Sequence, residues 1–233
     1  MFKRLALTIW TPNRAFEDIR ENPTYLGAFL VIGLGSIVVA YATLPVFQKI
    51  YLLSVTESLN PSQLERLHRY QKTMRYVYPV GTLIGILFFW FISAFLIWLI
   101  AQVFECRGRF KSIFSVISHA SITSLISSIL VVAIIYFKVN KGLMDLSNLE
   151  IKLGADLFIS SPVHPALQVV LANLNPFTFW YYALLTIGIA TVCEECSRVR
   201  AAGVVGTFWA ISMAFSAGIA WVFSIFQALD TAS

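Results

Sequence analysis

Charge is what this sequence has least of. Lys, Arg, Asp and Glu make up 12% of its 233 residues, about half the share usual in soluble domains. What is missing is missing in blocks: residues 22–48, 76–104, 112–137, 157–193 and 201–229 contain no formally charged side chain. Cysteine is scarce too, with three copies, of which only Cys193 and Cys196 form a CxxC pair. A closed structural zinc site takes four ligands, usually as two spaced pairs, so a metal centre is not expected. Neither low-complexity tracts nor internal repeats are present. No basic stretch carries the interleaved aromatics of a nucleic-acid groove, which removes nucleic acid from the expected partners.

The charge-free blocks are apolar, and the chain as a whole is 58% hydrophobic with a mean hydropathy of +0.76. A helix needs roughly 20 apolar residues to cross a hydrocarbon layer about 30 Å thick. Lipid leaves only helices or closed barrels able to satisfy every backbone polar group. Continuous apolar runs fit helices, since barrel strands alternate over short segments. The expected fold is all-α: a polytopic bundle of five transmembrane helices at about 25–46, 80–103, 113–137, 177–193 and 203–226, with short interfacial helices. This divides the chain into an interfacial segment, 1–24, and a five-span domain, 25–226. The run before Pro12 is too short for a removable signal peptide, so the first span is expected to direct its own insertion.

Turn and cap residues refine this outline. Thr11-Pro12, Asn60-Pro61 and Asn175-Pro176 each place a capping side chain before a first-turn proline. After Thr11, the residues Ala15, Phe16 and Ile19 share one helical face, which predicts a short amphipathic helix in the interface. After Asn60 a second amphipathic helix leads into the second span. Ala166–Ala172, following Pro165, is expected to form a short helix against the membrane rather than a sixth span. Gly33, Gly35 and Ser36 permit close helix contact in the first span, and Gly206, Ala210, Ala214 and Gly218 form a small-residue ladder in the last.

Chemistry-bearing residues are few. His119 lies inside the third span with hydroxyl residues around it, and Ser121, Ser124 and Ser128 fall on one face. An ionisable group within a span is a functional candidate by default, but small polar residues also pack helices. No span carries Asp, Glu, Lys or Arg, which argues against an ion-coupled pump. Glu194, Glu195, Arg198 and Arg200 form a charged elbow expected to pair locally and anchor the ends of spans four and five. Glu194-Glu195 is similar to the paired glutamates of the CPBP intramembrane proteases. However, Val199 stands where that motif needs Arg, and His68, His119 and His164 all lie upstream of the pair. No catalytic residue and no cofactor site is therefore expected.

The net charge of +5 sits partly in short loops. Arg107, Arg109 and Lys111 follow span two, and Arg198 and Arg200 follow span four. Short-loop basic residues face the cytoplasm, which places the N-terminus inside and the C-terminus outside. Cys106, Cys193 and Cys196 then lie at the cytoplasmic boundary, where a structural disulfide is not expected.

Three stretches carry a family resemblance. They are Phe110-Lys111-Ser112-Ile113-Phe114-Ser115-Val116-Ile117-Ser118-His119-Ala120, then Asn173–Tyr181 with Leu184–Ala190, and the charged elbow through Arg198 to Ala202. Together with Pro12, Phe16, Ile19 and Pro23 they resemble the bacterial branch of the Yip domain family, the Ypt/Rab-interacting-protein superfamily. The resemblance implies five spans with a cytoplasmic N-terminus. The packing ladders, the interfacial helices and the lack of a catalytic constellation lead to the expectation of a non-enzymatic organiser of membrane lipids, of other membrane proteins or of further copies of itself, in a bacterial inner membrane. Eukaryotic relatives bind small GTPases through a long soluble arm. This sequence has neither that arm nor its aspartate-leucine-tyrosine-glycine-proline element. The alternative function is a transporter or channel for a small or lipidic solute, with span three lining the path.

Overall fold

A computed structural model of the chain describes residues 2–55, 60–142, 151–159 and 163–232. Helix follows helix: α1 (Phe2–Trp10), α2 (Pro12–Glu21), α3 (Leu26–Val55), α4 (Pro61–Val103), α5 (Phe110–Ala120), α6 (Ile122–Asn140), α7 (Pro165–Asn173), α8 (Pro176–Val192) and α9 (Arg198–Ala232). A short 3-10 turn, Ala155–Phe158, precedes α7. The chain is an all-α, multi-pass membrane protein. Four stretches are long and apolar enough to cross a bilayer: Leu26–Val46, Lys72–Val103, Phe110–Asn140 and Arg198–Phe226. The fifth expected span, α8, has 17 residues, at the short end of what a bilayer requires.

The cap-and-proline signals start the helices where expected. Asn60 Oδ1 accepts the Gln63 N–H at 3.0 Å, and Gln63 Oε1 accepts the Asn60 N–H at 3.0 Å, a reciprocal capping box. Asn175 Oδ1 accepts the Thr178 N–H at 2.9 Å. Thr11 precedes Pro12 but makes no side-chain cap bond. The amphipathic lead-in after Asn60 is continuous with span two, forming one 43-residue helix that contains Pro79. At 1.5 Å per residue α4 is about 64 Å long, so it extends well past the hydrocarbon layer.

Span three, expected as one helix, is broken at Ser121. Its hydroxyl donates to the Ile117 carbonyl at 2.8 Å, and a serine bonding back into the preceding turn bends a helix. Eight residues of α5 are buried, packed against α4, α8 and the N-terminal helices.

Contacts fix the order of packing. Phe29 meets Trp90 edge-on, Leu83 closes on Gly33, and the Tyr41 hydroxyl donates to the Arg75 carbonyl at 2.7 Å. Rising numbers on α3 thus pair with falling numbers on α4, an antiparallel hairpin. Gly35 abuts Leu125, and the Tyr136 hydroxyl donates to the Ala42 carbonyl at 2.8 Å, so α6 runs parallel to α3. Gly188 of α8 packs on Val116 of α5 and on Phe16 of α2.

The N-terminus forms a helical hairpin. Arg4 pairs with Asp18, and its guanidinium also donates to the Asn22 carbonyl at 2.9 Å and to the Thr24 hydroxyl at 2.8 Å. Ala15, Phe16 and Ile19 are fully buried. The face they form packs on α8 and α5 of the same chain, while Arg14 and Arg20 are exposed. α7 lies along α9 and carries no buried residue; His164 caps it, its Nδ1 accepting the Ala166 N–H at 3.2 Å.

Candidate functional site

At the end of the bundle nearest the N-terminal hairpin, the loop after α4 meets the loop before α9. α4 ends in a Schellman-type turn: the Glu105 N–H bonds the Gln102 carbonyl at 3.2 Å and the Cys106 N–H bonds the Ala101 carbonyl at 2.9 Å. Glu105 takes the left-handed conformation that this turn demands, φ 57°, usually left to glycine. Its carboxylate pairs with Arg200 at 3.5 Å. Arg107 and Glu194 then exchange backbone hydrogen bonds of 3.2 and 2.8 Å, an isolated antiparallel bridge. That register brings Cys106 and Cys196 together, Cα atoms 4.7 Å apart, and they form a disulfide.

The disulfide corrects the expectation that these cysteines are unlinked. Ninety residues separate the two sulfurs in sequence, and only the pairing of two loops brings them into reach. Cys193, one residue past α8, is the free cysteine and is buried. The charged elbow pairs between loops: besides Glu105, Arg200 donates to the Glu195 carbonyl at 3.2 Å. Glu194, Glu195 and Arg198 are exposed, and Arg198 makes no ion pair among the described residues.

The structure separates the polar residues of span three. His119 and Ser121 are buried, and Ser124 is exposed. His119 Nδ1 lies 2.8 Å from the Ser115 carbonyl. A carbonyl oxygen only accepts, so Nδ1 carries the proton and the ring is tied to its own helix. The Ser128 hydroxyl likewise donates to the Ser124 carbonyl at 2.9 Å. Among the described residues no three His, Cys, Asp or Glu side chains converge on a metal position.

The small-residue ladder meets no close partner among the described residues. Gly206, Ala210 and Ala214 are exposed and Gly218 half-buried, and a methyl group added at Gly206 or Gly218 would meet open space. Close backbone approach is used instead at Gly33, Gly35, Gly188 and Gly203. Beside the ladder a groove of about 290 Å³ runs between α8 and α9, bounded by Tyr182, Thr186, Gly206 and Trp209. A second groove, of about 690 Å³, opens between α3 and α4 over the start of α5. Neither groove is lined by His119.

A family model of the Yip1 domain matches residues 7–220, from the N-terminal hairpin through most of α9. The chain belongs to the Yip1 domain family. No curated protein and no solved structure matches it. The match takes in α2, the end of α1 and the clasp of two loops joined by the Cys106–Cys196 bridge.

Both grooves and the clasp escaped sequence reasoning, because each is built from residues far apart in the chain. The faint signal for the clasp was a cysteine within three residues after each of two charge-free blocks.

Proposed function

We propose that this Yip1-domain protein is a non-enzymatic organiser of partner membrane proteins or lipids. The observation that carries the reading is the unpartnered face of α9. Only 6% of the most apolar window of that helix is buried within the chain, and its ladder of Gly206, Ala210, Ala214 and Gly218 is open along its length. Lipid tails gain little from such a strip, whereas a second helix gains close backbone packing from it. The adjoining α8–α9 groove offers a place for that helix's side chains. The transport alternative has no observation of its own: His119 is bonded into its own helix and borders neither groove.

Crosslinking in native membranes tests the reading. A stoichiometric membrane partner is expected to co-purify, and Gly206→Leu with Ala210→Leu should reduce its recovery at least tenfold, because one leucine per turn holds the helices apart. Undiminished recovery from the double variant would remove α9 as the docking face.

The membrane is proposed to be a bacterial inner membrane with the N-terminus cytoplasmic, on the strength of Arg107, Arg109 and Lys111 in a short loop. The Cys106–Cys196 bridge pulls the other way, since persistent disulfides belong to oxidising compartments. Lys141, exposed just past α6 at the opposite end, settles orientation experimentally. Lys141→Cys is expected to react with an impermeant maleimide applied to intact cells, while Arg107→Cys does not. The bridge and the burial of Cys193 keep the native cysteines out of the signal. The reverse pattern would place the N-terminus outside.

A further inference from the structure

We infer that the groove between α3 and α4 is a binding site for an anionic glycerophospholipid, one acyl chain lying in the groove and the phosphate held by Lys111. The inference deepens the organiser reading by naming a lipid class and its site. The groove's volume, about 690 Å³, lies within the usual range for small-molecule pockets. Its walls are aromatic: Tyr25, Phe29, Phe88, Phe91, Phe110 and Phe114 all border it.

These rings hold one another in place. Tyr25 meets Phe114 edge-on at 5.0 Å, Phe91 meets Phe110 at 5.6 Å, and Phe110 lies 6.2 Å from Phe114. A groove with mutually braced walls stays open without an occupant, so filling it costs little reorganisation. Beyond Phe29 the hairpin tightens where Leu83 packs on Gly33.

Polarity is confined to one end. Among the described residues Lys111, in the first turn of α5, is the only charged one of the lining, and it makes no ion pair. Arg107 and Arg109 stand exposed on the loop just before it, and the nearest acid of that loop, Glu105, is held by Arg200. An apolar slot with a cation at its mouth complements an amphiphile with one anionic head. Basic pockets between membrane helices recognise acidic lipid headgroups in this way. A partner helix fits less well, because the small residues that admit one lie on α9 rather than here.

The test uses the full chain in vesicles of phosphatidylcholine and phosphatidylglycerol, each lipid in turn carrying a photoreactive acyl chain. Phosphatidylglycerol label is expected on Phe88, Phe91 and Phe110, at about fivefold the yield of phosphatidylcholine, the worth of one cationic side chain near an anionic surface. Lys111→Gln should abolish the headgroup preference and leave chain labelling in place. Ile84→Trp, at an exposed position of the groove wall, should abolish labelling in the groove while the Cys106–Cys196 bridge still forms. Label spread evenly over the outward faces of α3, α4 and α9, or a preference unchanged in Lys111→Gln, would overturn the site. Crosslinking to a membrane partner is scored separately in native membranes. A retained partner alongside failed lipid labelling would therefore overturn the lipid site and leave the organiser reading standing.

Discussion

Reducing the Cys106–Cys196 bridge, or replacing both cysteines by serine, is expected to lower the stability of the helix bundle by about 2 kcal/mol. A crosslink stabilises mainly by shrinking the unfolded ensemble, and closing a loop of roughly 90 residues in a free chain contributes about 4.5 kcal/mol in the entropic limit. A membrane chain stays below that limit. When tertiary contacts are lost, the apolar helices between the two cysteines remain inserted, so the denatured chain is already confined. The value chosen therefore lies at the low end of the usual range of about 2–4 kcal/mol. The measurement is thermal or detergent-induced unfolding of the purified protein with and without a phosphine reductant, with the bond confirmed by mass. An oxidised sample whose midpoint does not move on reduction would show that the Arg107–Glu194 bridge and the Glu105–Arg200 pair hold the loops together unaided.

Truncating Phe16 is expected to release the N-terminal hairpin. Phe16 is fully buried and its ring lies beside Gly188, where α2 crosses α8 over α5. Large-to-small changes at such positions cost about 3–5 kcal/mol in soluble cores. The hairpin is two short helices joined to α3 by a few residues, and the Arg4 interactions with Asp18, Asn22 and Thr24 stay within that segment and its junction. None of them ties the hairpin to α8. Phe16→Ala should therefore open Arg14 and Arg20 to trypsin at least tenfold faster than in the parent, with the membrane helices still protected. An unchanged cleavage rate would mean that Ala15 and Ile19 suffice to dock α2. Gly188→Ala presses on the same junction from the other side, because its added methyl group would overlap Val116.

The two predictions concern the same end of the molecule. The hairpin, the clasp and the cation of the α3–α4 groove all gather where α3 begins, α4 ends, α5 begins and α9 begins. At the opposite end α4 extends far beyond the bilayer thickness and α7 lies along α9. The protein thus presents a braced, basic face on one side and a long helical extension on the other, with the open ladder of α9 running between.

What the sequence determined by itself was local. Charge-free blocks dictated helices in lipid, because no other structure there satisfies the backbone without edges. Asn60 and Asn175, each before a proline, marked helix starts because capping involves only the next three residues. Gly33 and Gly35 marked close contacts because a missing side chain is visible without knowing the partner. Ala15, Phe16 and Ile19 revealed a buried face through helical spacing. The sequence could not say what would cover that face, and lipid and another helix ask for the same residues.

Tertiary structure alone decided the rest. It buried Ser121 and left Ser124 exposed, although helical spacing puts the two on one face. It left the ladder from Gly206 to Gly218 open and used Gly203 and Gly188 for close approach instead. It joined Cys106 to Cys196 through a two-loop register that no periodicity encodes. It also set Lys111 at the mouth of a groove whose walls come from α3, α4 and α5. In each case the deciding contact is between residues distant in the chain, and their meeting depends on how whole helices pack rather than on any property of the segments themselves.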